Sequence, residues 1–316
     1  MRQVISTSAA SARGGQVKAA TPLLPDKSGN YKTMPSKPTQ SSAEIIKDTE
    51  GRQYHIGLKE GDVAPYILMC GDPARVKKVA SLFDSAGEPI CHREYVTITG
   101  KYKGVPVSVM ATGMGCDNTE IAVVELSQIV KDPTFVRIGT SGAFKNYINN
   151  GDVVISTGAV RLENTSTFFV HEGYPCVANH EVILALLESA KRVGVKYHTG
   201  ITATAAGFYG GQSRSTPFFK PRFEDIPGEL EKMNVVNAEM ESSTLFSLSS
   251  MAGFRAGTVC AIIAERWRNK FISPEGLLKV EMDCVKVGLG AVEVLAKMDK
   301  AKGKAAHWLP SMSLRA

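Results

Sequence analysis

The stretch FYGGQSR (208–214) sets Gln212 and Arg214 on either side of a single Ser, behind two glycines. A Gln amide donates and accepts hydrogen bonds, whereas an Arg offers only donors in a rigid fork. In an extended segment, residues two apart share a side, so this pair suits a flat ligand with both donor and acceptor edges. In CGDPARV, an apolar run passes through Gly71 into a helix that Asp72 can cap, with Pro73 at its first position and Arg75 in its first turn. Such a junction turns backbone N–H groups toward an anion, and Arg75 can add a charged fork. A capped turn with a solvated Arg accounts for the same residues. In VRIGTSGAF, Arg137 interrupts an apolar strand. A buried charge without a partner is very costly, so it must meet either an anion or a structural carboxylate. Thr140, Ser141 and Gly142 follow at the strand's C-terminal end, where ligands gather in open α/β sheets. In NAEMESS, Glu239 and Glu241 flank Met240. They can act as an acid/base pair, or simply favour a helix N-terminus. TGMGCDNTE mimics a dinucleotide-binding glycine motif, but its third Gly is missing, a hairpin precedes it, and no ribose-binding acid follows.

These residues need a scaffold of strands and helices in alternation. YILMCG reads as a buried strand, and DPARVKKVASLF as a helix with Val76, Val79, Ala80 and Phe83 on one face. EYVTITGKYKGVPVSVMATG reads as a hairpin and DNTEIAVVELSQIV as a helix. TFVRIGTSG, GDVVISTGAV, YHTGITATAAG and AGTVCAIIAE read as strands. NHEVILALLESAKRVG, AEMESSTLFSLSSMAG and a stretch over 274–298 complete the expected helices. The pattern predicts one α/β domain around a mixed, mostly parallel sheet flanked by helices. Its expected span is 51–300, with a loosely ordered extension over 1–50 and a C-terminal tail over 301–316 that carries Trp308.

Lys and Arg number 37 against 31 Asp and Glu, for a net charge of +6. The sign suits an anionic small molecule as well as nucleic acid, but no basic run with interleaved aromatics supports the latter. Six cysteines are scattered without metal-ligand spacing and read as reduced core residues. No apolar stretch is long enough to span a bilayer. Residues 1–25 carry Arg2, Arg13 and Lys18 and no acid. That composition fits a transit peptide or a disordered extension. The cytoplasm is the expected compartment.

The motifs GDPxRV, HRE, TGMG, RIGTSGAF, FYGGQSR and AEMES, in this order over 54–266, resemble the nucleoside phosphorylase family. Gln-x-Arg after Phe-Tyr-x-Gly resembles its pyrimidine branch in particular. The resemblance implies reversible cleavage of uridine by inorganic phosphate as co-substrate, with no cofactor required. It assigns phosphate to Gly71, Arg75, Arg137 and Thr140, with Arg93 from a neighbouring subunit. Ribose falls to Thr140, Met240 and Glu241, with His55 reaching across a dimer. Uracil falls to Ser141, Gly142, Phe208, Gln212, Arg214 and Arg266, with Ile262 and Ile263 as apolar walls. Arg75, Arg137, Gln212, Arg214 and Glu241 are the expected catalytic set. The partners implied are nucleoside, phosphate and a second copy of the chain.

Two positions depart from the pattern. Glu265 stands where pyrimidine enzymes have Asn and purine enzymes an Asp. A possible intersubunit cation would fall to Glu94, Met114 and Asn118, with Asn118 in the place of a Ser. RWRNKFISPEG (266–276) can close over the base as a lid or form an exposed linker. A purine phosphorylase, a nucleoside hydrolase and a non-catalytic nucleoside-binding protein are the alternatives. Three phosphate-binding arginines argue against water as the nucleophile.

Overall fold

Runs of β-branched and apolar residues form strands here, and the strands Tyr66–Cys70, Val105–Ala111, Val153–Leu162, Tyr197–Ala205 and Val235–Glu239 are each followed by a helix. The structure is a computed structural model that describes residues 43–312, so the expected extension lies outside it up to residue 42. In chain order the elements are β1 (Tyr66–Cys70), α1 (Pro73–Ala80), β2 (Ser85–Ala86), β3 (Ile90–His92), β4 (Tyr95–Tyr102), β5 (Val105–Ala111) and α2 (Cys116–Leu126). There follow β6 (Thr134–Ala143), β7 (Val153–Leu162), α3 (His180–Val193), β8 (Tyr197–Ala205), α4 (Ile226–Lys232), β9 (Val235–Glu239), α5 (Ser242–Ala252), β10 (Arg255–Glu265), β11 (Lys270–Phe271) and α6 (Pro274–Lys302).

The strands form one sheet in the order β11-β10-β7-β8-β9-β6-β1-β5-β4-β2, with β3 on β4. A further pairing of β10 with β6 closes the middle into a ring of β6, β9, β8, β7 and β10. The long pairings β6–β10, β7–β8, β1–β5 and β1–β6 are parallel, while β4–β5, β7–β10 and β6–β9 are antiparallel. The core is therefore the mixed α/β sheet expected. One cluster packs α1, α3 and α6 on the sheet through residues such as Val79, Leu186 and Leu289. A second packs α2 and α5 through Leu126, Leu245 and Phe246.

Two local readings of the sequence are corrected. Ala238 and Glu239, expected in a helix, end strand β9 instead, and α5 begins at Ser242. The reason is local: Glu239 accepts the backbone N–H groups of Glu241 and Ser242, at 2.9 and 3.0 Å, and so serves the helix start from the strand end. The stretch 208–214 is not extended. Gly210–Gln212 form a 3-10 turn and Ser213 takes a left-handed conformation at φ 52°.

Helix α6 runs past the expected 298 to Lys302. It comes close to the sheet at Gly288, where a Cβ would lie 2.4 Å from Ile138 Cγ2. Beyond it, the Trp308 backbone donates to Glu181 Oε1 at 2.8 Å, beside the Lys302–Glu181 ion pair at 2.9 Å. Five of the six cysteines are buried and all are free. Among the described residues, no helix is long and apolar enough to cross a membrane.

Candidate functional site

The C-terminal ends of β1 and β6, the strand end of β9 and the end of β10 open onto one cavity of about 570 Å³. Gly71, Arg75, Glu94, Met114, Arg137, Thr140, Ser141 and Gly142 line it, together with Phe208, Gln212, Arg214, Met240, Glu241 and Ile263. Residues from motifs some 170 positions apart thus share one space, from Gly71 to Glu241.

At its floor lies Arg137, 6% exposed. Its Nε donates to Glu239 Oε2 at 3.0 Å and its NH2 to Glu241 Oε2 at 2.5 Å. Burial disfavours the charged guanidinium, but the two carboxylates outweigh it and hold Arg137 protonated. Glu239 is fully engaged, since Oε1 also accepts from Thr204 Oγ1 at 2.6 Å. Glu241 accepts the Gly115 N–H at 2.7 Å on its other oxygen. Burial, with the charge of Glu239, keeps the Glu241 carboxyl above its ordinary range in spite of Arg137.

Arg75 borders the same cavity from the first turn of α1. It donates to the Ile138 carbonyl at 3.2 Å and to Glu281 Oε1 at 2.9 Å. Lys78 reaches the other Glu281 oxygen at 3.2 Å. Two of the five guanidinium N–H groups are so occupied, which leaves the remainder for an anion.

Gln212 lines the same cavity and is 7% exposed. Its Oε1 lies 3.4 Å from Arg214 NH2 and 3.5 Å from Arg266 NH1, and Arg266 NH2 donates to the Gln212 carbonyl at 3.0 Å. The Arg214 guanidinium lies 4.1 Å from the Phe208 ring centroid. Burial lowers the pKa of Arg214, and burial with the nearby Arg214 charge takes Arg266 down to about 10. Arg214 Nε is buried and lacks a hydrogen-bond partner among the described residues. Gly142 leaves room for Arg266, because a Cβ there would lie 3.2 Å from Arg266 Cγ. Ser141 Oγ accepts from Asn237 Nδ2 at 2.9 Å.

Several expected site residues lie elsewhere. Ile262 is corrected: it is fully buried in a separate cluster with Ala143, Ile148, Val154 and Val236, and only Ile263 lines the cavity. Adjacent strand residues face opposite sides, and the register of β10 against β6 shifts at Ile263. Glu265 faces away from the cavity, paired to Arg268 and accepting the Asn150 N–H at 2.8 Å. The hydrogen bond from Arg268 holds its carboxyl below the ordinary range. His55 Nδ1 is 2.6 Å from Glu125 Oε1, and Arg93 lies 4.8 Å from the Tyr54 ring centroid, lining a second cavity of about 600 Å³ with Tyr54 and His92. Within one chain neither reaches the first cavity. Asn118 does not line it either, but Asn118 Nδ2 and Glu94 Cγ flank Gly113 there, 2.6 and 3.5 Å from where a Cβ would be.

Glu281 carries no signal in the sequence, because it sits among other charges on a long helix with no motif around it. Phe271 and Ala264 also line the cavity and carry no chemical signal of their own.

Residues 65–280 match the family described as the phosphorylase superfamily. The chain is 46% identical over 275 residues to a uridine phosphorylase of Thermococcus kodakarensis, covering 86% of this chain and 97% of the relative. It is 38% identical over 247 residues to the uridine phosphorylase of Escherichia coli, covering 77% and 97%. A guanosine phosphorylase of Halorubrum lacusprofundi is 31% identical over 211 residues, covering 67% and 83%. With the family match spanning well over half of its length, the chain belongs to the phosphorylase superfamily.

Proposed function

We propose that this chain is a pentosyltransferase that cleaves uridine reversibly with inorganic phosphate, giving uracil and ribose 1-phosphate. The observation that carries this is one cavity lined both by Arg75 and Arg137 and by Gln212 and Arg214, with Arg266 behind them, hydrogen-bonded to Gln212 and not itself in the lining. Phosphate takes the Arg75–Arg137 end, with Gly71 and Thr140. Ribose lies between, its hydroxyls toward Glu241 and its ring over Met240. Uracil takes the Gln212–Arg214 end, beside Phe208, Ser141, Gly142 and Ile263.

A phosphate oxygen forms the new bond to the anomeric carbon as the bond to the base nitrogen breaks. The departing electron pair spreads onto the uracil carbonyls, where Arg214 and Arg266 offer donors already desolvated. The phosphate dianion faces the positive sugar that develops, and the cavity holds both in line. The uracil anion then gains, through solvent, the proton that the attacking hydrogen phosphate gives up, so no protein acid is needed on the base, and Glu265, tied to Arg268, is not offered as one.

The active unit is a dimer in which Arg93 and His55 complete a neighbour's site. An intersubunit cation would take hard oxygen donors from Glu94, the Met114 carbonyl and Asn118. The test is to incubate the protein with uridine, thymidine, deoxyuridine or inosine, with and without phosphate, and follow base release. Uridine cleavage that requires phosphate is expected. Cleavage of inosine but not uridine would overturn the pyrimidine assignment, and release without phosphate would overturn the phosphorylase reaction.

A further inference from the structure

Arg75 is gripped from two sides before any ligand arrives. Its guanidinium donates to the Ile138 carbonyl of β6 and to Glu281 of α6, elements that press together at Gly288 and Ile138. The space enclosed by Arg75, Ile138, Gly139, Glu281 and Cys284 holds no void large enough for water, so these contacts are direct. Glu281 also holds Lys78, and its side chain is only 12% exposed. Burial raises its carboxyl pKa, but the charge and hydrogen bond of Arg75 and those of Lys78 win and keep it below the ordinary range.

A carboxylate beside an anion site is electrostatically unhelpful, because it repels the anion that the site must take. Its presence calls for a compensating gain. We propose that Glu281 is a positioning residue for phosphate: it locks the Arg75 fork so that the guanidinium edge left free by Glu281 and Ile138 faces the cavity. This rests on reading the Arg75–Arg137 end as the phosphate subsite. Glu281 touches no substrate and acts only through Arg75. A long flexible Arg side chain loses much rotamer freedom when it is ordered, and with Glu281 in place that ordering precedes phosphate.

Two effects of opposite sign make the role measurable. If Glu281 acted only through its charge, removing it would tighten phosphate. If it positions Arg75, removing its acceptor must weaken phosphate in spite of the lost repulsion. The experiment measures phosphate binding to the intact protein by calorimetry without nucleoside, for wild type, Glu281→Ala, Glu281→Gln and Arg75→Ala, with thermal unfolding alongside.

Glu281→Gln keeps an acceptor for Arg75 and is expected to stay within about threefold of wild type, whereas Glu281→Ala loses about tenfold or more. At saturating phosphate, the nucleoside KM of both variants should match wild type, which a general loosening of the fold would not allow. Glu281→Ala that binds phosphate as well as or better than wild type, while Arg75→Ala is weakened, overturns the positioning role alone. Arg75→Ala that binds phosphate like wild type overturns both the role and the subsite reading beneath it. If Glu281→Ala does not fold, a loss in Glu281→Gln equal to that in Arg75→Ala would overturn the idea that the acceptor, and not the charge, is what matters.

Discussion

The guanidinium of Arg137 lies 2.5 Å from the carboxylate of Glu241, although 104 positions separate them in sequence. Glu239 holds the same guanidinium at 3.0 Å, so two buried carboxylates share one cation. An anion that enters beside Arg137 therefore meets a guanidinium already oriented, whose single charge two acidic side chains already offset. The extra positive charge for a dianion must come from Arg75 and, in the proposed dimer, from a neighbour's Arg93.

Removing Arg137 leaves Glu239 and Glu241 buried without their counter-charge. Arg137→Ala should lose about 3–5 kcal/mol of stability, read as a fall in the unfolding midpoint in urea. Arg137→Lys keeps the charge but cannot fork to both carboxylates, so its activity should fall further than its stability. An Arg137→Ala protein as stable as wild type would contradict the shared-cation arrangement.

Arg214 and Arg266 converge on Gln212, and Arg214 also covers Phe208. Arg214→Ala should lower kcat/KM for uridine by about a hundredfold, the scale of one lost donor to developing charge. Phosphate affinity, measured separately, should stay at the wild-type level. Its collapse would show that the two ends of the cavity are not divided as proposed.

Neighbouring isoleucines should behave in opposite ways. Ile262→Ala empties a fully buried position and should cost about 2–5 kcal/mol of stability, while the nucleoside KM of the folded protein changes little. Ile263→Ala, at the cavity wall, should raise that KM several-fold at a smaller cost in stability. Paired denaturation and steady-state measurements would separate them.

Asp299 supplies a pH prediction. Burial raises its carboxyl pKa, but hydrogen bonds from Arg255 at 2.7 Å and from Tyr66 at 2.5 Å win and hold it below the ordinary 3.8. A carboxyl whose folded pKa is depressed contributes stability that is present above its unfolded pKa and is lost as pH falls through the folded one. Unfolding free energy should therefore fall on acidification below about pH 4, and Asp299→Asn should flatten part of that fall. An identical acid profile in the variant would count against the clamp.

Complementation tests the dimer. Mixed subunits carrying Arg93→Ala and Arg214→Ala, each strongly impaired alone, should regain up to about a quarter of wild-type activity, because half of the dimers are mixed and each of those holds one complete site. No recovery after co-refolding would place Arg93 outside its neighbour's site.

The local chemistry of the site was legible because each motif couples a turn to a charged or polar residue. Gly71 before a capped helix, Arg137 inside an apolar strand and Glu239 two before Glu241 announce themselves by residues that are costly or out of place. The α/β alternation was legible for the same reason, since apolar periodicity reports which face is covered. Tertiary structure decided the rest. Whether Ile262 or Ile263 faces the cavity depends on a register shift in β10 against β6, and such pairing is not encoded in either strand alone. The turn at Gly210–Gln212 replaces the extended geometry that the Gln-x-Arg spacing suggested, yet it still brings Gln212 and Arg214 together. Glu281 came to light only in the fold, because a carboxylate on a charged helix has no visible partner until α6 packs against β6 and delivers it to Arg75.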